Sequence, residues 1–177
     1  MTRSFLLLFI AAAIAGCQST GAGSGLTGEP SLKSDSTQVR FGKKDPAKWI
    51  TFSESPNLGI ATCRVAVCGQ TIAIVYSVNA VQAQQEQEAL VARVREEMAK
   101  TNKVSIRGEP NRRTIKGYPA AGVSFGNDVS TSAPKGEILI IGAGTAEIVI
   151  RVVAQDAAVA KSAQEEFLSG IVIEPGR

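Results

Sequence analysis

Two aliphatic segments, residues 137–141 and 146–154, are separated only by Gly142-Ala143-Gly144-Thr145. That arrangement leaves few folds open. Two runs rich in β-branched residues joined by a short glycine-rich connection make an antiparallel hairpin. Within the second run Ile148, Ile150 and Val152 alternate with Val149, Arg151 and Val153, so both faces are largely apolar. A strand with two apolar faces is expected at the centre of a sheet covered on both sides. Gly142-Ala143-Gly144 also invites a nucleotide-binding reading, but that fingerprint needs a third glycine and a following helix. The residues after 146 read as strand, so a hairpin turn is expected.

The rest of the chain supplies a sheet around this hairpin. Residues 49–52 form a short strand candidate, broken at Ser55-Pro56-Asn57. Residues 60–68 and 71–78 read as strands joined by a two-residue turn at Gly69-Gln70. A helix is expected from an Asn79 cap, with Gln82 three residues on, to Lys100. Leu90, Val91, Val94 and Met98 give it one apolar stripe, and Glu96 and Lys100 an exposed i,i+4 pair. The period then becomes two, with strands expected at 103–107, 113–116 and 118–125, followed by a polar loop to Lys135. Asp156 caps a second helix with Val159, Ala163 and Phe167 on its inner face. Gly170 stands where a left-handed residue would end it, and 171–173 is a last strand. The sum is an α+β domain over residues 48–177, a mostly antiparallel sheet covered by two main helices.

From Tyr118-Pro119-Ala120 through the two long strands to Phe167-Leu168-Ser169 and the short strand after it, the chain resembles the PsbP-like α/β sandwich. The resemblance covers about a third of the sequence. It implies a sandwich fold and an assembly-factor or accessory role.

The N-terminus carries a different signal. Arg3 precedes an apolar run at 5–14, too short to span a bilayer but suited to the core of a signal peptide. Ile14-Ala15-Gly16-Cys17 then resembles the lipobox of bacterial lipoproteins. The resemblance implies cleavage between Gly16 and Cys17, diacylglycerol on the Cys17 thiol, and usually a further acyl chain such as palmitate on the new amine. The partner is then a membrane, reached through lipid. Gln18 replaces the aspartate that would retain an enterobacterial lipoprotein at the inner membrane, so the outer membrane, with the domain facing the periplasm, is expected. After the signal peptide at 1–16, residues 17–47 read as lipidated cysteine and flexible tether, Gly- and Ser-rich at first, with an r.m.s. reach of about 30 Å.

Composition removes several functions. The chain has no histidine, which excludes Ser-His-Asp and Cys-His catalysis and His-ligated zinc. A net charge of +3 gives no reason to expect nucleic acid as a partner. No metal-ligand cluster or cofactor motif is evident, and the domain is read as non-enzymatic. With Cys17 lipidated, Cys63 and Cys68 remain. An oxidising compartment favours a disulfide between them. Five residues of extended strand would span about 16 Å, too far for a bridge, so either residues 64–67 form a tight loop or the thiols stay apart. C-x4-C is not the C-x-x-C spacing of redox catalysis.

Arg107, Arg112, Arg113 and Lys116 surround Gly108-Glu109-Pro110-Asn111 and could contact lipid or polysaccharide anions, or simply line a solvated hairpin. The stretch Gly117-Tyr118-Pro119-Ala120-Ala121-Gly122 could line a groove or bend into a strand. Glu96-Glu97 and Glu165-Glu166 sit on predicted helices, where neighbours diverge by ~100° and face solvent. The function expected is a membrane-anchored interaction or accessory module with an envelope protein partner. The alternative is a module binding a small ligand or polysaccharide.

Overall fold

The computed structural model describes residues 31–34, 37–41, 47–55, 57–63, 65–82, 85–101, 105–126 and 134–174. The expected signal peptide, the lipobox with Gly16 and Cys17, and the first part of the tether lie outside the described residues.

Among the described residues, ten strands and three helices follow one another: β1 (Ser31–Ser34), β2 (Thr37–Phe41), β3 (Trp49–Ser55), β4 (Leu58–Cys63), α1 (Val65–Cys68), β5 (Ala73–Ala80), α2 (Gln87–Ala99), β6 (Ser105–Ile115), β7 (Tyr118–Gly126), β8 (Lys135–Ala143), β9 (Ala146–Ala154), α3 (Ala157–Ser169) and β10 (Ile171–Glu174). Seven strands form one antiparallel sheet in the order β3-β4-β5-β9-β8-β7-β6. β9 lies at its centre, as the doubly apolar alternation requires.

The two long helices cover opposite faces. Ile138, Ile140 and Val149 pack with Leu90, Val91, Val94 and Met98 of α2. Leu139, Ile141, Ile148 and Ile150, the alternate residues of the same strands, share a core with Ala160, Ala163, Phe167 and Leu168 of α3. Asp156 caps α3 as expected, its Oδ1 accepting from the backbone N–H groups of Ala158 at 2.8 Å and Val159 at 3.2 Å. Gly170 ends the helix with φ −94°, not in the left-handed region.

The remaining departures follow from strand pairing and turn geometry. β1 and β2 occupy a stretch assigned to the tether. β2 pairs with β1 on one side and with β10 on the other in a separate three-stranded sheet, in which Ile171 faces Phe41 and Glu174 faces Gln38. Val39 is fully buried in the α3-side core, and the Thr37 hydroxyl donates to the Ala143 carbonyl at 3.4 Å. The turn expected at Gly69-Gln70 is absent, because β4 stops at Cys63 and the chain makes the short helix α1 first. Asn79 is a β5 residue paired with Glu147 rather than a helix cap, and α2 starts at Gln87. The strands expected at 103–107 and 113–116 are one edge strand, β6, with a bulge between Arg107 and Asn111 that accommodates Gly108 (φ 80°) and Pro110. The β6–β7 turn is Lys116-Gly117, both with positive φ, and Gly144-Thr145 is the β8–β9 turn.

Candidate functional site

The basic residues singled out in the sequence do not converge. Arg112 and Arg113 are adjacent on β6, so their side chains leave opposite faces of the sheet. Arg112 reaches Glu88 of α2 with two hydrogen bonds, Nε at 2.9 Å and a terminal nitrogen at 2.8 Å. That bond pulls the Glu88 carboxyl below its ordinary range. Arg113 binds Glu165 of α3 at 2.7 Å on the other side. Lys116 is exposed in the turn, and Arg107 lies beyond the bulge, opposite Ser124. Two of the four charges fasten helices to the sheet edge; the group forms no common anion site. Tyr118-Pro119-Ala120-Ala121-Gly122 enters β7 as ordinary strand.

The paired carboxylates diverge as expected, but Glu97 is not solvated. It is buried and meets Arg93 at 2.8 Å, Lys100 at 2.6 Å and Arg151 of β9. Burial alone would raise its pKa, but the Lys100 hydrogen bond and the Arg151 and Arg93 charges outweigh that and lower it. Arg93 also grips Glu147, its Nε 3.1 Å from one carboxylate oxygen and a terminal nitrogen 3.2 Å from the other. Glu147 is 2% exposed and accepts a further bond from Gln85 at 3.1 Å. This network joins α2 to the central strand. Sequence reasoning missed it, although Glu147 and Arg151 are the only charged residues of β9.

On the other face Trp49 opens β3 and is buried; its indole Nε1 donates to Glu166 at 3.1 Å, and Lys48 donates to the same carboxylate at 2.6 Å. Tyr76 lies against Phe167 with ring centroids 5.0 Å apart, and burial raises its pKa to about 12. A Cβ on Gly59 would meet the Tyr76 ring at 2.3 Å, so glycine is required there. The cavity between Trp49, Ile74, Glu166 and Phe167 measures about 10 Å³, the space of one water molecule. It does not admit an organic ligand.

Among the described residues the most exposed large apolar groups lie at the cysteines. Cys63 and Cys68 form a disulfide with Cα atoms 6.3 Å apart. The helical turn α1 supplies the tight loop that a continuous strand could not. Gly69 follows with φ 69° and returns its N–H to the Val65 carbonyl at 2.9 Å. Cys63 N–H bonds the Ile72 carbonyl at 2.9 Å, and the Gln70 side-chain oxygen accepts from Gln155 N–H at 2.7 Å and Asp156 N–H at 3.2 Å. Cys63 is buried in the α3-side core. Val65 and Val67 are each 57% exposed, and Ala66 between them is exposed too. A rigid base therefore presents an apolar tip. Spacing alone could not reveal it, because Val-Ala-Val-Cys also reads as strand.

No family model matches the chain, and no curated protein matches it. Among solved structures it is similar to the crystal structure of LpqN, described as involved in cell envelope biogenesis of Mycobacterium tuberculosis. The TM-score is 0.58 with 16% identity, over 84% of this chain and 88% of that one. The two share a fold. The solution structure of cyanobacterial PsbP (CyanoP) from Synechocystis sp. PCC 6803 matches with a TM-score of 0.49 and 13% identity, over 86% of this chain and 98% of that one. That likeness is too loose to bear on the resemblance noted from Tyr118 onward.

Proposed function

We propose that the chain is an envelope lipoprotein, anchored through acylated Cys17, whose domain serves as a non-enzymatic interaction module in building or maintaining the envelope. The observation that carries this reading is how the three cysteines are used. Cys63 and Cys68 bond to each other, which suits an oxidising compartment. Cys17 is left over, at the end of the Ile14-Ala15-Gly16-Cys17 motif. The fold shared with LpqN agrees with an envelope role. Absence of histidine favours contact through the surface over catalysis. Gln18 favours the outer membrane, with the domain on its periplasmic side.

The test is expression of the full chain in a Gram-negative host, with intact mass and in-cell cross-linking read together. The mature chain should start at Cys17 and carry diacylglycerol and an acyl group, whereas Cys17→Ser should remain an unprocessed precursor. One discrete envelope protein should cross-link to the anchored chain and be lost or changed in Cys17→Ser. A free thiol on Cys17 would refute the anchor, and absence of any discrete partner would refute the interaction role.

A further inference from the structure

We propose that the disulfide-closed turn Val65-Ala66-Val67 is a lipid-contacting tip, entering the headgroup region of the same bilayer that holds Cys17. The inference rests on the anchoring reading above.

Four large hydrophobic residues are exposed among the described residues, and Val65 and Val67 are the most exposed, with Ile106 on β6 and Val172 on β10. Two residues apart on a helical turn, the valines point about 200° away from each other. Both flanks of the protrusion are therefore apolar, with exposed Ala66 between them. A flat protein surface would cover one flank and leave the other in water. A medium that closes around the turn covers both. No acidic residue occurs in the sequence from 64 to 70, and Arg64 precedes the turn in sequence, a composition that suits anionic headgroups. The turn is tied at its base by the disulfide, by Cys63 to Ile72, and by Gln70 to the start of α3. Insertion then orders little that is not already ordered.

Chain length permits the contact. Fourteen residues from Cys17 to Ser31 extend to at most about 50 Å. A domain of roughly 130 residues is about 35 Å across. Whichever side β1 leaves from, the tip can reach the anchoring membrane. Tethering makes this second contact intramolecular, so it counts even when weak alone.

The experiment uses the full acylated chain reconstituted into phosphatidylcholine–phosphatidylglycerol vesicles doped with a phospholipid bearing a diazirine near the headgroup. After irradiation, adduct sites are mapped by peptide mass spectrometry. Adducts are expected at residues 65–67 as well as next to the anchor. In V65D/V67D, with disulfide mass and melting curve checked, the tip adducts should fall roughly tenfold, as for withdrawing two half-exposed valines from an apolar phase. Anchor adducts should persist. An acylated Cys17 with no adducts at 65–67 overturns the inference and leaves the anchor standing, whether the tip lies in water, on a partner protein or on a second copy. Tip adducts undiminished in V65D/V67D overturn it as well. An unacylated Cys17 overturns the anchoring reading and this inference together.

Discussion

Replacing Arg93 by methionine keeps most of the side chain's apolar volume but removes the charge that faces Glu147. Glu147 is 2% exposed, and Arg93 meets it through two hydrogen bonds at 3.1 and 3.2 Å. Removing one partner of a buried ion pair typically costs about 3–5 kcal/mol, because the other charge is left uncompensated. One feature reduces this figure: Gln85 still donates to the stranded carboxylate. The expected loss for R93M is therefore about 2–3.5 kcal/mol, or a Tm lowered by about 8–15 °C. Adding E147Q to R93M should recover more than half of that loss. Urea titrations followed by circular dichroism measure both variants. A loss below about 1 kcal/mol for R93M, or a double variant no more stable than R93M, would refute the claim that Arg93 compensates the buried Glu147 carboxylate.

Two further outcomes are expected. Opening the bridge with C63A/C68A should lower stability by about 2 kcal/mol, the value for a loop of roughly six residues; equal denaturation midpoints with and without reductant in the wild-type chain would show that the bridge does not form. The Glu97 carboxyl is held below its ordinary range, so the folded state binds its proton less readily than the unfolded chain does. Its contribution is complete above the unfolded carboxyl pKa of about 4.3 and is lost as pH falls through the folded value. Stability should therefore fall less steeply below about pH 4.5 in E97Q than in wild type, and parallel acid titrations of the two would contradict this.

The central part of the fold could be read from sequence because local and tertiary demands agree there. β7, β8, β9, the Asp156 cap and β10 each carry a period or a capping residue that matches their place in the sheet. Elsewhere two local signals compete. Gly108 and Pro110 resemble a turn, yet Lys116-Gly117 is the turn, and the earlier pair forms a bulge on an edge strand, where a missing N–H does no harm. Thr37-Gln38-Val39-Arg40-Phe41 alternates as a strand should, but it follows a glycine- and serine-rich stretch, and composition alone groups it with a tether. What makes it a strand is a distant partner, β10, supplied 130 or so residues later in the chain. Val65–Cys68 has strand-forming residues in a helical turn, because the bond between Cys63 and Cys68 decides the local geometry.

The basic cluster shows how far a motif can be taken before its element is placed. Four cations within ten residues suggest a patch as long as they surround a loop. Once residues 105–115 are one strand, period two sends Arg112 and Arg113 to opposite faces, and each finds a glutamate on the helix that covers its side. The pairing uses the charges to hold α2 and α3 over the edge of the sheet. Among the described residues, the most exposed large apolar side chains lie away from this edge, on the turn between β4 and β5, whose residues carry no charge. A surface of that kind gains most where water is excluded on every side. For a chain tethered through Cys17, as proposed above, the nearest place of that kind is the membrane itself.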